Sequence, residues 1–329
     1  MRILRIFKSY SKSMLKESFP LEIIYRITGR CNLSCEYCIY PIITKELSTE
    51  QSKRAIKEFA DAGTLNWTFT GGEPLVRQDI GELINYAKDC GIPFVHLLTN
   101  GILLKYRIHE IKQLDAITFS LDGPEEIHDK LRGRGTFQKV IEAIRIVKSQ
   151  GINFSITTVV TKLNMANDFY GVRYIFNLAK ELGCRINFQP VYILNNRGGD
   201  FYPSKEEYEL MMTFLKKLAR NSNFIKYSEE AYDNVIKAIK NEKIELVCLA
   251  GKKFALLNFD GRVAPGGGFM YEAIDGTKSG FVNAFYRLNH KHTTYCFSYC
   301  YPEKDIMYKL NFNSLLRYLQ IMLKYRVLF

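Results

Sequence analysis

Residues 22–38 read EIIYRITGRCNLSCEYC, an apolar, β-branched run followed directly by cysteines at positions 31, 35 and 38. The run predicts a buried strand, and the cysteines come just after its carboxyl end. Three thiolates on one short loop can ligate three irons of a four-iron cubane, leaving the fourth iron for a bidentate small molecule. Structural zinc is the alternative, but it usually takes four ligands, and no fourth Cys or His lies close by.

A strand-then-helix rhythm repeats from Leu21 onward and predicts an α/β fold with a parallel sheet. Six strands leave a barrel incomplete, with an open side where a larger substrate can enter. The predicted strands are Glu22–Ile27, Asn66–Thr70, Pro93–Leu98, Ala116–Leu121, Asn153–Val160 and Arg185–Ile193. The predicted helices include Ser48–Ala62, Asp79–Lys88, Thr136–Ser149 and Tyr170–Leu182.

Changes in composition and periodicity divide the chain into five predicted parts. A compact β-like element with a turn at Asp260-Gly261 marks the start of a small C-terminal extension. The parts are a basic amphipathic helix (1–20), the barrel (21–195), a helical connector (196–245), the extension (246–301) and a C-terminal helix (302–329). The last of these places Leu315, Leu316, Leu319, Met322 and Leu323 at helical spacing.

The first sixteen residues predict a helix with an apolar stripe beside a basic one. The apolar residues are Ile3, Leu4, Phe7, Met14 and Leu15, and Arg2, Arg5, Lys8, Lys12 and Lys16 fall largely outside that stripe. No acidic residue precedes Glu17. A helix of this kind can lie on an anionic membrane. The alternative, which we favour, is a helix that packs on the barrel or caps its base.

The 329 residues carry a formal net charge of +12, which favours an anionic partner. Nucleic acid is not expected, because the basic residues are scattered and not interleaved with aromatics. The eight cysteines are clustered in a chain that opens without an apolar signal core, which predicts a cytoplasmic location. The basic helix also suggests a peripheral attachment to the membrane. A membrane-spanning segment is not predicted, because no apolar stretch is long enough to span a bilayer.

Four further motifs follow predicted strands or lie soon after one. They are TGGEP at 70–74, TNG at 99–101, SLDG at 120–123 and HDKLRG at 128–133. The two glycines of the first motif allow close approach of backbone to a ligand, and Glu73 offers a carboxylate to an ammonium. Taken alone, each of these motifs is consistent with a simple turn.

Together with the cysteine spacing, and with Tyr37 just before the last cysteine, these motifs resemble the radical S-adenosylmethionine (SAM) superfamily in their order. The resemblance covers Glu22 to Ile193 and implies a partial (β/α)6 TIM-like barrel with a small α+β C-terminal extension. It implies a [4Fe-4S] cluster on Cys31, Cys35 and Cys38. The SAM contacts that it implies are Tyr37, Gly71, Gly72, Glu73, Asn100, Ser120, Asp122 and Arg132.

The resemblance also implies an enzyme, an oxidoreductase or transferase. The cluster cleaves SAM reductively to a 5′-deoxyadenosyl radical, which abstracts a hydrogen atom from a peptide, lipid or small biosynthetic substrate. Electrons come from a donor such as flavodoxin or ferredoxin, and no side chain stands out as an acid or base. The barrel begins soon after residue 20, without room for the leader-peptide domain of many relatives. This favours a non-peptide substrate, anionic or membrane-associated, or a separately encoded peptide-binding partner. The alternative is a non-catalytic iron–sulfur or zinc scaffold that retains the barrel.

Cys248, Cys296 and Cys300 resemble the auxiliary-cluster extensions called SPASM and twitch domains, in a degenerate form. Gly266 stands after Pro265 where those domains usually have another cysteine. A full two-cluster set is excluded because the cysteines do not exist. One auxiliary [4Fe-4S] cluster is expected, with an open iron or with a fourth ligand such as His292. The alternative is a hairpin that has lost its cluster and keeps these cysteines for packing.

Overall fold

The six predicted strands form one parallel sheet in the computed structural model. The structure describes residues 2–38, 45–191, 201–244, 248–266, 272–288 and 300–308. Strands that are consecutive in sequence are neighbours in the sheet. This arrangement confirms the predicted fold class. The strands are β1 Glu22–Thr28, β2 Asn66–Gly71, β3 Phe94–Thr99, β4 Ala116–Ser120, β5 Asn153–Val160 and β6 Arg185–Pro190.

The connecting helices begin and end at local sequence signals. For example, the Ser48 hydroxyl accepts from the Gln51 N–H at the start of α2, and Gly63 ends that helix at a φ of +105°. The four predicted helices are confirmed, the last as the second part of α7, after non-helical residues at Ala166–Phe169. The helices are α1 Arg2–Leu15, α2 Thr49–Ala62, α3 Ile80–Asp89, α4 Leu104–Arg107, α5 Glu125–Arg132, α6 Thr136–Ser149, α7 Lys162–Leu182, α8 Lys205–Arg220 and α9 Glu229–Lys240. Periodicity does not predict α4 and α5, which are too short to show a helical period.

The two faces of the sheet differ in chemistry, because successive residues of a strand point to opposite sides. One face packs on the helices with apolar side chains such as Tyr25, Trp67 and Phe119. The opposite face, here called the inner face, is mainly polar and carries Thr68, Thr70, His96, Thr118, Ser120, Ser155, Thr157 and Asn187, with Ile24, Arg26, Leu98 and Val159 among them. Closed barrels of eight strands are usually filled by branched apolar side chains. The inner face therefore suits polar or solvated contents and not a packed core.

The C-terminal strands continue the same sheet. β7 (Phe254–Leu257) pairs in parallel with β1, and β8 (Arg262–Ala264) and β9 (Ile274–Asp275) follow in antiparallel order. Gly261, at a φ of +86°, forms the predicted turn between β7 and β8. The predicted extension thus shares a sheet with the barrel. Two short helices follow it, α10 Gly276–Ser279 and α11 Phe281–Tyr286.

The helix α12 (Cys300–Tyr308) lies against the amino-terminal ends of β1 and β2. Lys304 and Tyr308 both donate to the buried carboxylate of Glu22, and Asn66 Nδ2 donates to the Tyr308 hydroxyl at 3.2 Å. These bonds close the base of the barrel, at the end of the strands opposite to the motifs. The predicted apolar face over Leu315–Leu323 lies outside the described residues. None of the described helices is long and apolar enough to cross a bilayer.

Candidate functional site

The motifs after β1 to β4 meet at one edge of the sheet, because parallel strands present their carboxyl ends together. Residues 29–38, here called the cysteine loop, follow β1. Glu73 follows β2, Asn100 follows β3, and Asp122 follows β4. Ser120 ends β4 with its side chain partly exposed on the inner face. The structure therefore brings the predicted site residues of the barrel together.

Gly71 and Gly72 attach the end of β2 to the cysteine loop. The Gly72 N–H donates to the Thr28 carbonyl at 2.9 Å, and the Glu73 N–H donates to the Arg30 carbonyl at 2.9 Å. A Cβ at Gly72 would lie 2.2 Å from that same Arg30 oxygen, and one at Gly71 would lie 2.4 Å from the Thr28 oxygen. Both glycines are therefore required by the close approach of the loop backbone. The sequence predicted such an approach toward a ligand, and the structure adds this one between two protein segments.

Glu73 is held rigidly under the cysteine loop and is 1% exposed. Its Oε1 accepts from the Leu75 N–H at 3.0 Å and from Thr99 Oγ1 at 2.7 Å, and its Oε2 accepts from the Asn100 N–H at 2.7 Å. A carboxylate has about four acceptor positions, so one remains on Oε2. Burial raises the pKa of Glu73 despite these bonds. A cation beside it would stabilise the ionised form, which fits the predicted ammonium contact.

Asn100 bridges the third strand to the cysteine loop. Its Nδ2 donates to Asn32 Oδ1 at 2.8 Å and lies 3.8 Å from Cys31 Sγ. Its Oδ1 accepts from the Ile102 N–H at 3.0 Å, which fixes the orientation of the amide. In this structure Asn100 therefore positions the loop and the first cysteine.

Tyr37, Asp122 and Arg132 form a buried network that ties the cysteine loop to β4 and α5. Asp122 Oδ2 accepts from the Tyr37 hydroxyl at 2.7 Å and from Arg132 Nε at 2.6 Å. Its Oδ1 accepts from the Val159 N–H at 2.9 Å and from Arg132 Nη2 at 3.4 Å. The Arg132 guanidinium also lies 5.6 Å from the centre of the Tyr37 ring. The carboxylate thus bonds the protein on both oxygens.

The charges in this network are set by burial and by the ion pair. Burial alone would raise the pKa of Asp122, but the adjacent Arg132 outweighs it and the net shift is downward. Burial raises the pKa of Tyr37 well above its usual value, so this hydroxyl remains a donor at neutral pH. Asp122 is therefore an anion held between a phenol and a guanidinium. The predicted contacts of Asp122 and Arg132 with SAM remain predictions.

Two residues that the sequence did not single out form hydrogen bonds with the backbone of Asp122. His128 Nδ1 accepts from the Asp122 N–H at 3.1 Å, and burial lowers the pKa of His128 to about 4, so the ring is neutral. Asn164 Nδ2 donates to the Asp122 carbonyl at 3.0 Å. His128 lies in the HDKLRG motif, for which the family resemblance implies a role of the arginine only. No local signal marks Asn164, because its contact spans 42 residues.

The cysteine loop offers three thiols on a short, anchored segment. The Glu36 N–H donates to the Leu131 carbonyl at 3.0 Å, and the Cys38 N–H donates to the Cys35 carbonyl at 3.0 Å. Burial raises the pKa of the Cys31 thiol and raises that of Cys35 to about 11. Both thiols are therefore protonated at neutral pH, and metal binding must release their protons.

This donor set fits an iron–sulfur cluster. Cysteine thiolates are the usual ligands of such clusters, and each thiolate binds a different iron. The three sulfurs therefore do not need to converge on one ion. Across the described ranges, no three His, Cys, Asp or Glu side chains converge on a single-ion site. The fit rests on the donor chemistry and on the position of the loop above Glu73 and Asn100.

The C-terminal cysteines are only partly described. Cys248 is 8% exposed. Cys300 begins α12, whereas Cys296 and His292 lie outside the described residues. The auxiliary cluster on Cys248, Cys296 and Cys300 therefore stays a prediction. Cys184 is buried, and Cys90 is partly buried.

Comparison with known proteins agrees with this site. A model described as the Radical SAM superfamily matches residues 25–169. The chain is 28% identical over 274 residues to the AdoMet-dependent heme synthase of Methanosarcina barkeri, covering 75% of this chain and 77% of that protein. It is 32% identical over 155 residues to the PqqA peptide cyclase of Bradyrhizobium diazoefficiens, covering 44% of this chain and 40% of that protein.

The fold is also found among solved structures. The structure of Streptococcus suis SuiB bound to S-adenosylmethionine matches with a TM-score of 0.67 at 16% identity, covering 86% of this chain and 70% of that one. This similarity concerns the fold alone. The family match includes the cysteine loop and the motifs after β2, β3 and β4, which the structure places at one edge of the sheet. Residues 25–169 of the chain therefore match the radical SAM superfamily, and this match includes the whole candidate site.

Proposed function

We propose that the chain binds a [4Fe-4S] cluster on Cys31, Cys35 and Cys38 and binds SAM beside it, with the substrate on the inner face of the barrel. The observation that carries this proposal is the rigid attachment of the cysteine loop to Glu73 and Asn100. When bound, the cluster and SAM supply a 5′-deoxyadenosyl radical for hydrogen-atom abstraction. The protein positions the reactants, since the cofactor carries out the difficult chemistry.

The residues of the site have distinct parts in this function. Glu73 keeps one acceptor position for the SAM ammonium, while its other bonds prevent it from turning away. The network of Tyr37, Asp122 and Arg132 holds the far end of the cysteine loop against β4. A site held by packed strands and buried bonds is preorganised, so its groups need little rearrangement during the reaction.

Anaerobic turnover tests this function directly. Protein reconstituted with iron and sulfide is expected to release 5′-deoxyadenosine when SAM and a strong reductant are added. Chromatography of the quenched reaction measures the product, and samples without reductant serve as the control. A reconstituted protein that binds iron but releases no 5′-deoxyadenosine would support the non-catalytic scaffold instead.

The substrate is the open part of the function, and the inner face suggests its chemistry. The relatives are named for heme synthesis and for cyclisation of a peptide, so their names do not select one substrate. Hydroxyl, amide and imidazole side chains line this face. We propose a polar substrate that carries an anionic group, because an uncompensated cation lies at the same face.

That cation is Lys226. Ile225 pairs with Ile186 of β6 and both pack in the apolar core, which places Lys226 on the opposite, inner side. Lys226 is 7% exposed, and its ammonium has no hydrogen bond or ion pair to any residue that the structure describes. Burial, reinforced by Arg185, lowers its pKa to about 7. A buried cation without a partner costs stability, so a substrate carboxylate at this position would compensate it.

His96 supports an anion at this place. It lies on the inner face, is 5% exposed, and its Nε2 has no partner in the described part of the chain. Burial lowers its pKa to about 4, so the ring is neutral and available for hydrogen bonding. His96 precedes the end of β3 by three residues, so it lies about 10 Å below the strand ends. A substrate held there would extend from Lys226 and His96 toward the cofactor.

Replacing Lys226 with methionine is expected to raise the midpoint of thermal unfolding, and to raise it more at pH 6 than at pH 9. The unfolded lysine keeps its proton up to about pH 10.5, whereas the folded one loses it near 7. Titration of Lys226 therefore makes the wild type lose stability as the pH falls from about 10 to 7, and the variant loses less over the same range. Lys240→Met is the control, because Lys240 is exposed and pairs with Glu209. The difference between its unfolding midpoint and that of the wild type should be the same at pH 6 and pH 9.

The same variant tests whether an anion binds. At pH 6, propionate is expected to raise the unfolding midpoint of the wild type by mass action and to leave Lys226→Met unchanged. If Lys226→Met is less stable than the wild type at pH 6, Lys226 has a purely structural role. An equal propionate effect in both proteins would place the anion elsewhere. Either result would refute the anionic-substrate proposal while leaving SAM cleavage intact.

The remaining parts of the proposal concern partners and location. We propose an acidic electron donor such as a flavodoxin or ferredoxin, which the net charge of +12 would attract. A cytoplasmic location is supported by the free thiols of Cys31, Cys35, Cys38, Cys90 and Cys184. A second cluster on Cys248, Cys296 and Cys300 is supported by the burial of Cys248 and by their resemblance to auxiliary-cluster cysteines.

A further inference from the structure

The amino-terminal helix α1 lies across the base of the barrel and docks through a largely polar face. Arg5 donates to the carbonyls of Ala60 at 2.6 Å and Cys90 at 3.0 Å. Arg2 pairs with Asp115 at 3.0 Å. At the other end of the helix, Lys253 donates to the Ser13 carbonyl at 2.6 Å. The docked face also buries Ile6, Ser9, Tyr10 and Ser13. The orientation of the helix on the barrel is therefore fixed.

The opposite face of α1 is apolar and exposed. At 100° per residue, its five large side chains fall within an arc of about 120°. They are Ile3 at 66% exposed, Leu4 at 75%, Phe7 at 46%, Met14 at 55% and Leu15 at 88%. The described residues include nine exposed large hydrophobic side chains, and five of them lie on this one helix. Single exposed apolar residues are ordinary, but a contiguous exposed patch marks a binding surface.

Basic side chains border this apolar arc on one side. Lys8, Lys12 and Lys16 are exposed, and no ion pair to them occurs in the ranges that the structure describes. The segment from residue 2 to residue 16 contains no acidic residue. An apolar arc bordered by lysines matches the surface of an anionic bilayer, where the apolar side chains insert and the ammonium groups meet lipid phosphates.

We propose that α1 docks the protein on anionic lipid through Ile3, Leu4, Phe7, Met14 and Leu15, with Lys8 and Lys12 at the headgroups. A second copy of the chain is disfavoured as the occupant, because the lysines of the two copies would repel one another. Lipid phosphates attract the same lysines. The apolar arc alone fits several partners, and the charge beside it selects the lipid.

The position of α1 determines which way the bound enzyme faces. All of its anchors lie near the amino-terminal ends of strands: Phe94 begins β3, Asp115 precedes β4, and Lys253 precedes β7. The cysteine loop and Glu73 follow the opposite ends of the strands. Strands of about six residues separate the two ends by about 20 Å. On a membrane the site therefore opens toward the aqueous phase, so the membrane is the location and not the substrate.

Flotation with lipid vesicles tests this inference. The full-length protein is expected to float with vesicles of phosphatidylcholine and phosphatidylglycerol, and not with phosphatidylcholine alone. The double variant Leu4→Gln/Phe7→Gln is expected to lower the partition coefficient at least about tenfold, since two large apolar side chains no longer insert. Lys8→Glu/Lys12→Glu is expected to abolish binding to the anionic vesicles, and 0.5 M salt is expected to weaken wild-type binding.

The control is Leu210→Gln, which removes an exposed leucine of α8 and should float like the wild type. The substituted side chains are exposed, so unfolding midpoints should not change. Absence of flotation with anionic vesicles would refute the proposal, as would equal flotation of Leu4→Gln/Phe7→Gln. Concentration-dependent dimerisation that this same variant abolishes would assign the face to a second copy and also refute it. None of these outcomes bears on SAM cleavage.

Discussion

Replacing Cys35 with alanine is expected to abolish release of 5′-deoxyadenosine and to remove the brown colour of the reconstituted protein. The cysteine loop supplies three thiols for three irons, and the loss of one leaves an iron without its protein ligand. Cys35 is the middle one of the three proposed ligands, and the loop is anchored beside it through the Glu36 N–H. Alanine leaves that backbone bond in place, so the effect reports the thiol and not the fold.

Iron and acid-labile sulfide content, together with the absorption spectrum, measure this effect. Cys90→Ala is the matched control, since its partly buried thiol lies far from the loop and Arg5 binds only its carbonyl. It should retain the cluster and the activity. A Cys35→Ala protein that keeps a full iron content and releases 5′-deoxyadenosine would contradict the assignment. So would a wild-type protein that carries zinc in place of iron.

The iron that remains in a protein lacking all three loop cysteines reports on the second cluster. About four irons would be retained if Cys248, Cys296 and Cys300 hold a cubane. If no iron is retained, these residues have only a packing role. Iron that remains in Cys35→Ala alone does not identify a second cluster, because a damaged first cluster can keep part of its iron.

Replacing Asp122 with alanine is expected to lower the free energy of unfolding by about 3–5 kcal/mol. Arg132 is 9% exposed and Asp122 is fully buried, so the variant leaves a buried guanidinium without its counterion. It also removes the acceptor for the Tyr37 hydroxyl and for the Val159 N–H. Urea unfolding of the purified protein measures the loss. The cysteine loop is expected to loosen as well, which lowers iron incorporation.

A second substitution separates the ion pair from its surroundings. Adding Arg132→Met to Asp122→Ala removes the unpaired charge, so the double variant is expected to be more stable than Asp122→Ala alone. Glu142→Ala is the control, because its pair with Lys105 is exposed and should contribute under about 1 kcal/mol. A loss below 1 kcal/mol for Asp122→Ala, or no recovery in the double variant, would contradict a buried ion pair at this site.

The strands could be predicted from the sequence because they are local features, and the three cysteines that we propose as metal ligands are local as well. β-branched, apolar runs mark all six strands of the barrel within a few residues of their observed bounds. Three cysteines within eight residues predict a metal-binding loop without any knowledge of the fold. The positions of Glu73, Asn100 and Asp122 at one edge followed from a single rule, that parallel strands end together.

Contacts between distant residues could be decided only by the tertiary structure. Lys226 lies 41 residues after Arg185, and only the pairing of Ile225 with Ile186 places it on the inner face. The bond of Asn164 to Asp122 is likewise invisible in the sequence, because no local pattern encodes a contact that spans 42 residues. These contacts determine the shape and charge of the site.

The helix α1 shows the same division within one element. Its sequence determined an apolar arc beside a basic stripe, because helical periodicity is a property of the local chain. It suggested packing on the barrel, and the structure shows that packing, but through another face, which buries Ile6 and Tyr10 beside polar anchors. Which face a helix buries depends on the groups that the base of the barrel offers. Those groups are the carbonyls of Ala60 and Cys90 and the carboxylate of Asp115, which the chain assembles only when it folds.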